Sequence, residues 1–160
     1  MRYILLPSFL LVAIATSGAA QRNSGAAVVS VAAKIGGKSY QASGSGSCRH
    51  TPSASIYDVP AALWMVEHPS SGPEALQVNL TVWRPKNGGP EQLSLALSTR
   101  SSSHRIAVGG RGEQIGRGKI SLSSTGTGGS FQITGKDGSG TPLEVQIECP
   151  VFTGVEAEGG

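Results

Sequence analysis

The sequence predicts an all-β domain, an antiparallel Ig-like β-sandwich of about eight or nine short strands. Three observations lead there. Apolar and polar residues alternate with period two in several strand-length runs, the pattern of a sheet with one face in a core and one in water. Glycine supplies 23 of 160 residues, and it clusters between those runs, where turns are needed. No window holds the three-and-four apolar spacing of a sustained helix, although Val59 to Met65 has room for one helical turn.

The elements follow in chain order. Arg2, an apolar run from Ile4 to Ile14 and the small residues Ser17, Gly18, Ala19 and Ala20 read as an export signal over 1–20, cleaved after Ala20. That run is too short for a membrane span, which needs roughly 20 apolar residues, so no stable membrane insertion is expected. No cysteine follows the small residues to carry a lipid. Residues 21–25 are polar and read as a flexible N-terminus, 26–152 as a single β-domain, and 153–160 as a flexible tail of small and acidic residues. Within the domain, Val28 to Ile35 is a strand candidate, closed by Gly36 and Gly37. Gly44, Ser45, Gly46 and Ser47 read as a flexible, glycine-rich strand before Cys48. Leu63 to Glu67 is a further candidate, with a turn at Ser71 to Pro73. The clearest alternation is Leu76, Val78, Leu80 and Val82 against Gln77, Asn79, Thr81 and Trp83. After Asn87 to Pro90 come Leu93, Leu95 and Leu97, then Ile106 to Val108, a glycine turn over Gly109 to Gly112, and Ile120 with Leu122. Gly126 to Gly129, Phe131 with Ile133, Asp137 with Gly138, and finally Leu143, Val145 and Ile147 lead into Cys149.

Two cysteines in an exported chain pair by default, so Cys48 and Cys149, 101 residues apart, are expected to form one disulfide. Export also changes the charge. The chain loses Arg2 from its 13 basic side chains and keeps its 10 acidic ones, so the net charge falls from +3 to +2. A balance that small does not call for a polyanion partner at the level of the whole chain.

Ile35, Gly37, Lys38, Gly44, Ser45 and Cys48, with Phe131, Ile133, Thr134, Gly135, Glu144, Val145 and Cys149, resemble the first and last hairpins of the mycobacterial LpqH-type lipoprotein antigens. The resemblance covers about a third of the mature chain and implies an exported envelope β-domain with no established enzyme activity. This chain departs from the family in lacking the lipid-bearing cysteine, and its tryptophan-containing middle does not match.

The sequence offers few groups for chemistry. Gly37, Lys38 and Ser39 end like a phosphate-binding loop, but Ala32 stands where the first glycine belongs. His50, His68 and His104 are scattered, Asp58 and Asp137 are the only aspartates, and no G-x-S-x-G elbow occurs. A Ser-His-Asp arrangement assembles in space rather than along the chain, which keeps a small secreted hydrolase as an alternative. The first expectation is a non-catalytic binding or structural module, periplasmic or extracellular, with no cofactor and no metal site; a carrier of a lipid or apolar ligand is the other alternative.

The candidate contact surface is Trp83, out of phase with the aliphatic stripe of its strand, with Arg84 beside it, and the basic segment of Arg100, Arg105, Arg111, Arg117 and Lys119, opposed only by Glu113. Anionic envelope polymers or lipid headgroups suit that segment, but the favoured reading is a solvated, glycine-rich hairpin that keeps an edge strand from aggregating. No aromatic residue interleaves the cations, so nucleic acid is not an expected partner.

Overall fold

The computed structural model describes residues 27–56, 58–69 and 75–155. The expected signal over 1–20, the flexible segment 21–25, the turn at Ser71 to Pro73 and the end of the tail lie outside the described residues. Ten β-strands make up the described fold: β1 (Ala27–Ile35), β2 (Lys38–Ile56), β3 (Val59–His68), β4 (Gln77–Pro85), β5 (Gln92–Ser98), β6 (Ser103–Val108), β7 (Arg117–Thr125), β8 (Gly128–Lys136), β9 (Pro142–Cys149) and β10 (Thr153–Gly154).

The chain is all-β, as its alternation predicts. In place of the two separate sheets of a sandwich, the strands pair along one path, β6-β5-β4-β3-β2-β1-β9-β8-β7. Curvature brings the ends of that path together. Ala107 and Ile115 exchange two backbone hydrogen bonds of 2.8 Å, and a Cβ placed on Gly118 would stand 3.1 Å from Ile106 Cγ2. The sheet is therefore nearly closed into a barrel, with one thinly bonded seam between β6 and β7. Every pairing along the main path is antiparallel, and only β10 runs parallel to its neighbour, β2.

Alternation fills the interior. Val29, Val31, Ala33 and Ile35 of β1 face Val78, Leu80 and Val82 of β4, Leu93, Leu95 and Leu97 of β5, and Leu143, Val145 and Ile147 of β9 in one buried cluster. Gly36 and Gly37, at φ 56° and 89°, supply the positive dihedrals of the two-residue hairpin that returns β1 into β2.

One expectation is corrected, at β3, and one is extended, at β2. Val59 to Met65 is extended throughout, paired to β2 and β4, because Trp64 and Val66 project into the core while Met65 and Glu67 point out. The stretch around Gly44 to Ser47 belongs to a 19-residue strand. Its first half, to Gly46, pairs with β1, and its second half, from Ser47 on, pairs with β3, with a register shift between Thr51 and Ala54. Gly46 sits at the changeover, where a Cβ would meet Glu67 O at 2.6 Å and Val29 Cγ2 at 2.8 Å. Any larger residue would wedge the strands apart there.

Cys48 and Cys149 are disulfide-bonded, with Cα atoms 6.0 Å apart. The bond ties together the two strands that flank β1. Beyond it, Phe152 N–H donates to Thr127 O, and β10 pairs Thr153 and Gly154 with Arg49 and His50, so ordered pairing runs two residues past the expected boundary at 152.

Candidate functional site

Trp83 is out of phase with the core, as expected, but it does not stand in solvent. Only 9% of its surface is exposed. On the outer wall it lies beside Leu63 of β3 and Gln92 of β5, and the loop leaving β6 at Gly109 folds over it. Two grooves of about 220 and 290 Å³ meet at its ring: one is floored by Leu63 and Thr81, the other by Val59 and Pro85, and both are walled by Gly110. Its Nε1–H is buried without a hydrogen-bond partner among the described residues. Of the two roles open to a tryptophan on that face, a cap over the sheet or a binding platform, the cap fits its burial under the glycine-rich loop.

Arg84 is also removed from that surface. Being in phase with the core, it turns to the barrel mouth, where Nη2 lies 2.6 Å from Glu91 Oε2 and the guanidinium stands 5.3 Å from the centre of the Trp64 ring. Trp64 in turn stacks on His50 at 4.5 Å, and His50 Nδ1–H donates to Leu63 O at 2.9 Å. Phe152 packs its edge on both His50 and Phe131. This aromatic column plugs one end of the barrel.

Three of the remaining cations line the seam. Ile106 and Gly118 meet inside it, so Arg105 on β6 and Arg117 and Lys119 on β7, at the alternate positions, lie on its outer side and are exposed. Arg111 is exposed in the loop beside Trp83, and Arg100 in the turn between β5 and β6. None of these five is in an ion pair among the described residues.

The structure assembles one constellation that sequence spacing did not reveal. His104, on β6, points inward at the other end of the barrel, level with Leu97. Its Nδ1 lies 2.6 Å from Asp137 Oδ2, and its Nε2 lies 3.0 Å from Ser102 Oγ. Asp137 is 5% exposed and held from its other oxygen: Oδ1 accepts from Ser139 N–H at 2.9 Å, Ser139 Oγ at 2.7 Å and Thr141 N–H at 2.8 Å. Burial works to raise the pKa of Asp137, but the hydrogen bonds from His104, Ser139 and Thr141 outweigh it and lower it to about 2. With Asp137 ionised, Nδ1–H donates to it, and in the neutral ring Nε2 is then free to accept from the Ser102 hydroxyl. Ser102 is itself placed by a tight turn in which Thr99 Oγ1 accepts from the Ser101 and Ser102 amides at 3.3 and 3.1 Å. Asp137 and Gly138 could be read only as a turn signal, since nothing in the sequence links them to a histidine on another strand.

His68 lies at the same level as Leu97 and His104 along the pairing, 3% exposed, with Nδ1 lacking a partner among the described residues. Loss of hydration lowers its proton affinity below the ordinary 6.5. Among the described residues no three His, Cys, Asp or Glu side chains converge as metal ligands. Two shallow grooves of about 330 and 390 Å³ lie on the polar outer wall of β9, β1 and β2, with Ala32 between Gln41 and Gln146. No helix among the described residues is long and apolar enough to cross a membrane. Searches of family models, curated proteins and solved structures find no match to this chain.

Proposed function

We propose that this chain is exported and works in the envelope or outside the cell as a binding module that holds an anionic polymer on the outer side of its seam. The observation that carries the reading is the set of five cations, Arg100, Arg105, Arg111, Arg117 and Lys119, exposed on and beside β6 and β7 without acidic partners. Unpaired like charges on neighbouring strands repel one another, and a polyanion relieves that repulsion. Export is supported by the N-terminal sequence pattern and by the disulfide, which suits an oxidising compartment. The likeness of the first and last hairpins to LpqH-type envelope antigens supports the same location. A carrier would hold its ligand between the walls, but that space is filled by the core side chains themselves.

The test is retention on an immobilised polyanion such as heparin, eluted with a salt gradient. The native chain should be retained, and the triple variant Arg105→Glu, Arg117→Glu, Lys119→Glu should elute at markedly lower salt, since attraction between exposed charges is screened within about 8 to 10 Å near physiological ionic strength. Identical elution of the two proteins would remove the basis of the reading.

A further inference from the structure

The Ser102, His104 and Asp137 constellation is built more tightly than capping a barrel end requires. Closing the turn between β8 and β9 needs only Asp137 Oδ1, which already takes three hydrogen bonds from Ser139 and Thr141. Oδ2 is left for His104 Nδ1 alone, and the far nitrogen of the same ring meets a hydroxyl on a different turn. Connectivity matters here. A buried, immobilised carboxylate fixes one imidazole nitrogen as a donor, and the opposite nitrogen, thereby a base, lies within hydrogen-bond reach of a serine: the geometry by which a hydroxyl is activated. The ordering is graded as that role requires, from Asp137 at 4% side-chain exposure through His104 at 11% to Ser102, half-buried in its turn. Thr99 Oγ1, 2.9 Å from Ser102 Oγ, holds the hydroxyl from behind.

We infer that Ser102 is an activated nucleophile that His104 serves as base and Asp137 orients, and that the site accepts the acyl group of small carboxylic esters. Ser102 Oγ adds to the ester carbonyl carbon while its proton passes to His104 Nε2. The acyl–oxygen bond to the alcohol portion then breaks, and His104 returns the proton to the departing alkoxide, leaving Ser102 acylated. Water, deprotonated by the same nitrogen, releases the acid and restores the serine. Ester and water become acid and alcohol, and no other reactant is needed. Ser102 and the seam cations are separate groups, so this inference stands or falls apart from polyanion binding.

The probe is an alkyl fluorophosphonate, whose phosphorus Ser102 attacks with loss of fluoride. Intact mass of the folded protein should rise by one phosphonyl group, and peptide mapping should place it on Ser102 among the many serines of the chain. Ser102→Ala should carry no adduct. His104→Gln should slow labelling at least 100-fold, the lower end of what a positioned base contributes, with the folded state of each variant verified by circular dichroism. Mapping on the native chain keeps the result readable even if a variant unfolds. Failure of the native protein to label, an adduct on another serine, or equal labelling of His104→Gln would overturn the inference.

Discussion

Trp83 shows how much a single residue's surroundings can depart from its phase. Period two correctly sends its side chain away from the aliphatic stripe of β4, but the loop starting at Gly109 then turns what would be an exposed indole into a covered one. Alternation reports which face a residue takes, not what lies over that face. Two substitutions separate the contributions. Trp83→Ala should destabilise by about 3 to 5 kcal/mol, as truncation of a buried aromatic does. Trp83→Phe should cost clearly less, because it keeps much of the packing and also removes an N–H that is buried without a partner. Thermal or denaturant unfolding of the pair checks this, and equal losses would mean that the indole nitrogen is satisfied after all.

At the scale of elements, strands with aliphatic alternation were legible: β4, β5, β8 and β9 coincide with the runs around Leu80, Leu95, Phe131 and Val145. β2 was legible only as a glycine-rich strand before Cys48, not through alternation, for a physical reason. Its inward positions Ala42, Gly44 and Gly46 are too small to mark an aliphatic stripe, and at Gly46 the approach of Glu67 O and Val29 leaves no room for a side chain. Gly46→Ala measures that constraint. Its methyl would fall against Glu67 O and Val29, backbone on one side and a rigid β-branched residue on the other. Overpacking of this kind costs about 1 to 3 kcal/mol, so a lowered unfolding midpoint is expected, and an unchanged one would show that β2 has room to shift. The candidate site was legible in the same uneven way. The five cations stood out as a cluster in sequence, whereas Ser102, His104 and Asp137 meet only because the barrel closes and carries the β8–β9 turn to the end of β6.

Across the whole molecule, acid should loosen the barrel in two steps. His68 is buried and its proton affinity in the fold lies below 6.5, so protonation favours the unfolded chain, and the stability it confers declines as pH drops from about 6.5 through its lower folded value. Asp137 behaves with the same sign at lower pH. Its stabilisation is complete above the ordinary 3.8 and is lost as pH falls towards about 2. Melting curves from pH 7 to pH 2 should show both declines in the native chain, and Asp137→Asn, already weaker at neutral pH, should lack the second. A second decline of undiminished size in that variant would assign it to other carboxylates. Both groups sit at the end of the barrel opposite the Arg84 mouth, so acid acts on one end of the molecule first.

The pairing of β1 has a consequence in time. β1 and its hairpin partner β2 emerge one after the other, but the other neighbour of β1, β9, emerges only after β3 to β8 have been made. Until then one edge of β1 has no partner, and Cys48 exists without the cysteine it must join, 101 residues later. A chain that stops short of Pro142 therefore carries an open edge on β1, a template for pairing with other chains, together with an unpaired thiol at Cys48.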